Sequence, residues 1–221
     1  MVTVMDIYEA LYTTRAMRRV KPDPIPMDAQ AKILDAAIRA PSGGNQQNWA
    51  FLLVDDPDIK GELATMYGEC IDQLFKTVYK EQAEAALADP DGNAPFAKMR
   101  RSVEAAVDNF ADYPLFLFGF SRGDRSGGSI YPAIWSAQLA ARAEGVGSSL
   151  TTVLAFKGEA VPNLLGVPAD AGWAMSCCVP MGYPTGKWGV APRRPVHEVS
   201  YRNQWGAPVG FETPEPLWSG N

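Results

Sequence analysis

The chain has one histidine, His197, and only three cysteines, Cys70, Cys177 and Cys178. A transition-metal centre built from histidines is thereby nearly excluded. Three cysteines make no disulfide framework. A Ser-His-Asp hydrolase would depend on His197, which lies in a Pro/Arg-rich stretch, and no Gly-x-Ser-x-Gly precedes a helix. Neither Gly-x-Gly-x-x-Gly nor Gly-x-x-x-x-Gly-Lys-Ser occurs, so nucleotide sites of those kinds lack support. No run reaches the roughly 18 apolar residues that cross a bilayer. Met1 to Asp6 lacks a basic region followed by an apolar stretch, so no secretion signal is predicted. Positive charge is in deficit as well: the net charge of −5 argues against nonspecific nucleic-acid binding. A cytoplasmic location is the default, with no metal, and any hard chemistry would have to come mostly from a cofactor.

What is present suffices for a folded domain. The 221 residues are 47% apolar and 20% charged, which suits one domain with a real core, or one domain with a lobe. Helices are expected over 3–13, 28–40, 129–144 and 157–165, the first with Thr3 and Asp6 as a variant capping box and with Val4, Ile7 and Leu11 on one face. Residues 58–111 read as helical with a break around Asp89 to Asn93, and carry the least rule-bound pattern. Strands are expected over Trp49–Val54, buried on both faces, Leu115–Phe120, Ser148–Leu154 and Trp173–Met181. Cys177 and Cys178 fall on opposite faces of the last strand as small buried hydrophobes. Helix 129–144 is apolar nearly all round, which marks a buried helix or a subunit interface, and Gly145 and Gly147 end it. Strands separated by helices indicate a sheet layered by helices. Beyond Gly182, prolines 184, 192, 195, 208, 214 and 216 leave an extended tail that suits wrapping a partner.

Three separated segments carry chemistry. Arg15, Arg18, Arg19 and Lys21 crowd four cations into seven residues, and Arg193 and Arg194 sit between prolines. Guanidinium forks of this kind suit a phosphate, although each cluster alone also fits a solvated basic face. Between them in sequence, Pro41 to Trp49 is a glycine-softened loop with Ser42, Asn45, Gln47 and Asn48, suited to close backbone approach and amide contacts to a flat heteroaromatic ring. Leu150, Thr151 and Thr152 follow a helix stop and could offer backbone N–H groups to an acceptor atom, although on their own a pair of strand threonines is the commoner explanation.

In order and spacing these segments resemble the nitroreductase family of FMN-dependent oxidoreductases, from about Met5 to Pro195, poorly over 60–112. The resemblance implies an α+β fold of three α/β/α layers with a mixed central sheet flanked by helices. It also implies an entwined homodimer with two FMN sites, each built from both subunits. A single domain over 1–195 would then carry a helical lid at about 60–112, and 196–221 would be a tail packed on the partner. Thr14, Arg15, Ala16 and Arg18 fall on the family's Arg-Arg-Ser-x-Arg stretch, with Thr14 in place of the first arginine and Ala16 in place of the serine. Pro41 and Ser42 match the Pro-Ser pair beside the ring, Asn45 and Gln47 match its polar positions, and Asn48 stands where proline is frequent. Leu150, Thr151 and Thr152 match the strand near the ring's N5, and Arg193 matches a phosphate arginine with Arg194 as helper.

The implied activity is transfer of hydride or electrons from NADH or NADPH through FMN to a small flat acceptor, such as a nitroaromatic, quinone or activated alkene, by a ping-pong route. No catalytic side chain is implied, and Arg18 is the candidate for positive charge near the ring's N1–C2 carbonyl. Dehalogenating relatives grip an amino acid with a Glu-Tyr-Lys set, for which Glu69, Tyr79 and Lys80 lie in the right region. A non-catalytic flavin-binding protein and a flavin-free module holding another phosphate ligand are the other readings.

Overall fold

Strand β2 (Leu115–Ser121) organises the molecule. Its sequence alternates Leu and Phe, so Leu115 and Leu117 point to one side of the sheet and Phe116, Phe118 and Phe120 to the other. The computed structural model describes residues 5–88, 95–213 and 215–218. Its strands β1 (Trp49–Val54), β2, β3 (Gly147–Ser148) and β4 (Ala174–Gly182) form one sheet in the order β1-β2-β4-β3. The ladders are antiparallel, and the parallel element of this mixed sheet is one bridge from Ala16 to Ser148.

The helices are α1 (Ile7–Thr13), α2 (Met27–Ala37), α3 (Pro57–Lys76), α4 (Lys80–Leu87), α5 (Pro95–Asp108), α6 (Ile130–Ala143) and α7 (Ala160–Leu164). Leu115 and Leu117 pack with Ile33 and Ala37 of α2 and with Ile134, Ala137 and Ala141 of α6. On the other face, the three phenylalanines pack with Leu63, Tyr67 and Ile71 of α3 and Val103 of α5. The result is the expected α+β arrangement of three α/β/α layers. Cys177 and Cys178 enter opposite cores, as strand alternation requires. Burial pushes both thiols up, Cys177 to about 12, so neither is a thiolate at neutral pH.

Helix ends are set by short polar side chains. Asp56 accepts from the backbone N of Asp58 and of Ile59, both at 3.0 Å, with Pro57 in the first turn of α3. Asp124 accepts from Ser129 N and Ile130 N, both at 2.9 Å, to start α6. Gly145, at φ 75°, ends it.

Several expectations are corrected. β1 is an edge strand, so Trp49 to Leu53 are only partly buried rather than covered on both faces. The expected strand over 148–154 ends at Ser148. Val153 N turns back to the Thr151 hydroxyl at 3.4 Å and the chain coils into a 3₁₀ segment, Val153–Lys157, leaving one bridge from Thr151 to Cys178. The tail is not simply extended: Tyr201 bridges Pro208, Arg202 Nε donates to the Val209 carbonyl at 2.7 Å, and Trp218 returns to within 5.8 Å of Tyr12. His197 Nδ1 accepts from Thr213 N at 3.2 Å, a structural role. Thr3 and Val4, used in the reading of the first helix, and the break at Asp89 to Asn93 lie outside the described residues. Among the described residues no helix is long and apolar enough to cross a membrane, and no cluster of three metal-ligating side chains occurs.

Gly147 does not stop α6. It pairs with Gly182 across the last ladder, and both are small because another segment lies on them. A Cβ at Gly147 would sit 2.8 Å from Met17 Cβ, and one at Gly182 would sit 2.8 Å from Val20 Cβ. Both contacts are to the stiff root of a side chain. Gly147→Ala is therefore expected to destabilise by about 1–3 kcal/mol. Gly61→Ala, where the added Cβ meets open space inside α3, is expected to stabilise by up to about 1 kcal/mol. Urea unfolding of the two variants checks this; a shift of the same sign in both would remove the packing explanation.

Candidate functional site

Residues 15–21 lie along the outer edge of the sheet because the two glycines let them. Met17 N donates to the Ser148 carbonyl at 3.0 Å, and Met17 itself is buried. On its other side the segment holds the chain after β4: Lys21 N donates to the Tyr183 carbonyl at 2.8 Å and Thr185 N to the Arg19 carbonyl at 3.0 Å. With Met17 turned in, Arg15 is exposed, and its Nη2 donates to the Lys187 carbonyl at 2.9 Å. Ala191 N reaches the Tyr12 carbonyl at 3.3 Å, so Arg193 and Arg194, both exposed, follow closely on a contact with the end of α1. Sequence positions 15 and 193 are thereby gathered on one edge.

Arg18 is half-buried beneath this edge, and its carbonyl accepts from Tyr113 Oη at 2.8 Å. Burial pushes the phenols of Tyr67 and Tyr113 up, with the Arg18 charge pulling weakly against it. The Thr151 hydroxyl contacts the Tyr67 phenol, and Tyr67 stacks on Phe110 at 4.0 Å. Arg18, Thr151, Tyr67 and Tyr113 form one polar group set into an aromatic wall. Both phenols stay protonated and can donate. Leu150 and Thr152, either side of Thr151, are exposed. Tyr67 was not singled out from sequence; it sits on α3 among ordinary core positions, and only the fold brings it to Thr151.

Pro41 to Asn48 is built as a strained, self-bonded loop. Asn45 and Gln47 have φ of 53° and 51°, uncommon for non-glycine residues, next to Gly44 at 58°. The Ser42 hydroxyl accepts from Gln47 N at 3.1 Å, Gln47 Nε2 donates to Asn45 Oδ1 at 3.2 Å, and Gly43 N donates to Ser129 Oγ at 3.2 Å. With Arg122, Asp124 and Ser126 the loop lines a polar cleft of about 390 Å³. The Arg122 guanidinium lies 5.0 Å above the Trp173 ring.

The loop is not brought to the arginines within one chain. It leads into β1, whereas Thr151 lies beyond β4 and Ala16 one step further, beyond Ser148 of β3. At the usual strand spacing the loop's strand is roughly 14 Å from Thr151 and roughly 19 Å from the Ala16 stretch.

The dehalogenation candidates have separate contacts. Glu69 is paired with Lys157, and Tyr79 packs against Phe75 and Phe96 at 6.1 and 5.6 Å, at the start of α4 with Lys80.

Thr14 Oγ1 is buried with no hydrogen-bond partner, on a residue 7% exposed. Burying an unsatisfied hydroxyl is costly, and an apolar group of the same shape avoids that cost. Thr14→Val is expected to stabilise the ligand-free protein by about 1 kcal/mol. Chemical unfolding of both proteins measures it; a loss of stability would mean the hydroxyl is satisfied after all.

Comparison with known proteins bears on the same residues. The model of the Nitroreductase family matches residues 11–183, which includes the arginine stretch, the amide loop and Thr151 but stops before Arg193. A relative named NADH dehydrogenase, from Thermus thermophilus, is 30% identical over 199 residues, covering 89% of this chain and 95% of the relative. An iodotyrosine deiodinase from Thermotoga neapolitana is 26% identical over 196 residues, covering 89% and 96%. The solved FMN-dependent nitroreductase NfnB from Mycobacterium smegmatis, in complex with NADPH, superposes with a TM-score of 0.65 at 19% identity, covering 89% and 97%; at that identity the likeness is one of fold.

Proposed function

The chain belongs to the nitroreductase family, and from that premise we propose that it is an FMN-dependent oxidoreductase working as a homodimer. The observation that carries the reading is the convergence of Arg15, Arg18, Thr151 and the Arg193-Arg194 pair on one sheet edge. The donor set fits the group: exposed guanidiniums for a phosphate, a half-buried cation for the ring's pyrimidine edge, and backbone and hydroxyl groups at 150–152. The buried, unpartnered Thr14 hydroxyl adds a donor short of an acceptor beside them.

The chemistry FMN supplies when bound is hydride uptake from NADH or NADPH and electron delivery to a small flat acceptor, in two half-reactions. Arg15, Arg193 and Arg194 neutralise the phosphate, and their exposure lets the ligand enter without first breaking a buried ion pair. Arg18 holds a fixed positive charge at the pyrimidine edge, backed by the Tyr113 hydroxyl on its own carbonyl. Thr151 is held by a reciprocal pair of backbone hydrogen bonds with Cys178, at 2.8 and 2.9 Å, which orients the flanking backbone of Leu150 and Thr152 toward the ring. No histidine or carboxylate stands in this group of residues, so protons for the acceptor come from water.

Pro41, Ser42, Asn45 and Gln47 complete the site from a second copy. The distance between the two edges of the sheet supports this, as does apolar surface that one chain leaves open. Trp135 on α6 is 41% exposed, and Ile7, Tyr8 and Leu11 are exposed on α1, which contacts α6. Trp205, 92% exposed at the tip of the tail's turn, fits a tail that packs on the partner. Within the helical stretch at about 60–112, α3 and α5 bury Leu63, Tyr67, Ile71 and Val103 in the core, which leaves α4 to stand as the lid over the acceptor. The deiodinase likeness favours a dehalogenating variant of the same chemistry; the engagement of Glu69 with Lys157 speaks against its amino-acid grip.

The test is the visible spectrum of the purified protein before and after anaerobic NADH and NADPH. A flavin spectrum that bleaches is expected, and protein that stays colourless with added FMN would end the proposal. Arg18→Ala is expected to weaken FMN binding or slow reductive bleaching by at least tenfold, about 1.4 kcal/mol or more. Unchanged flavin content and unchanged stopped-flow reduction would remove Arg18 from the role.

A further inference from the structure

Helix α6, whose buried face is alanine and isoleucine apart from Gln138, buries a guanidinium in its last turn. Arg142 is 6% exposed. Its Nε donates to Thr13 Oγ1 at 2.9 Å, and its Nη2 donates to Glu9 Oε1 at 2.9 Å. The Thr13 hydroxyl in turn donates a hydrogen bond to the Glu9 carbonyl at 2.6 Å. The guanidinium plane lies against Trp188, 4.2 Å from the ring centroid. One side chain thus grips the end of α1 with its edge and the stretch after β4 with its face.

Those two stretches are the ones from which the exposed arginines emerge. Arg15 leaves α1 two residues after Thr13 and reaches back to the Lys187 carbonyl, next to Trp188. Arg193 and Arg194 follow Trp188 after the contact of Ala191 with Tyr12. Glu9 neutralises Arg142, so what Arg142 supplies to the edge is orientation rather than net charge.

We propose that Arg142 is a positioning residue for the phosphate end of the cofactor site: it sets the α1 terminus and the Trp188 stretch in one register, so that Arg15, Arg193 and Arg194 meet a phosphate already aligned. The inference rests on the reading of those three arginines as phosphate ligands. Two chain segments far apart in sequence would otherwise have to be ordered by the ligand, at a cost in affinity. Lysine cannot replace the group, because a point charge lacks both the planar face for Trp188 and the fork for Thr13 and Glu9.

The test compares two ligands that share a ring but differ in the phosphate. Dissociation constants of FMN and riboflavin are measured by flavin fluorescence for the wild-type apoprotein, Arg142→Lys and Trp188→Leu. The expected result is an FMN constant raised on the order of tenfold in each variant, equivalent to one lost charge-assisted hydrogen bond, with riboflavin binding unchanged. Equal weakening of both flavins would overturn the inference, because it would mean a general scaffold role, and so would no change in either. Should Arg142→Lys fail to fold by circular dichroism, Trp188→Leu, which loosens the same contact from the half-buried side, decides alone. Wild-type protein that binds FMN no more tightly than riboflavin would instead overturn the phosphate reading itself.

Discussion

Gly147 and Gly182 face each other where the sheet ends, and the absence of two methyl groups there lets residues 16–20 lie on the strands. The site depends on that approach. With Met17 pressed against Gly147, its N–H reaches Ser148, and Arg15, just past the end of α1, stays exposed with its guanidinium on the Lys187 carbonyl. With Val20 pressed against Gly182, its neighbours Lys21 and Arg19 pair with Tyr183 and Thr185 respectively, so the chain after β4 is held beside the N-terminal stretch. Basic residues from opposite ends of the sequence become neighbours through backbone hydrogen bonds, with the charges themselves left free for an anion.

The same sheet that gathers the arginines keeps the amide loop away from them. β2 and β4 are the buried centre, and β1 and β3 are the edges. Under the proposed function, the two edges each offer half of a flavin site, and a second copy docked on the open apolar surface of α1 and α6 would complete it. The strain in the loop fits this picture. Asn45 and Gln47 hold left-handed backbone with hydrogen bonds that stay within the loop or go to Ser129, so its shape does not wait for the partner. A loop preformed in this way would lower the ordering cost of the proposed assembly.

Much of this was legible in the residues. The Leu/Phe alternation of β2, the apolar run of β4 and the alanine-rich α6 announce a sheet between helix layers, because burial on both faces leaves a periodic mark. The basic clusters and the amide loop stand out in the sequence, and the fold sets Arg15, Arg193 and Arg194 exposed along one edge and the amide loop at the other. Other features left no local mark. Gly147 reads as a helix stop, and only the third dimension shows Met17 lying on it. The strand expected over 148–154 has strand-like residues but lacks a neighbour past Ser148, and a strand needs its ladder. That Trp49 to Leu53 form an edge is a property of strand order, which apolar content does not encode. Arg142 did leave a mark, a lone guanidinium in an apolar helix, which is a reason to ask what it holds.

The central claim is that each site draws its arginine edge from one chain and its amide loop from another. Mixed dimers test it most directly. One chain carries Arg18→Ala and the other carries Asn45→Ala with Gln47→Ala, and tight flavin binding is counted in the purified heterodimer. The shared-site account predicts that neither variant binds well as its own homodimer, while the heterodimer recovers one intact site out of two. The intact site pairs the sound edge of one chain with the sound loop of the other. A heterodimer that recovers none would contradict the account and place the whole site within a single chain.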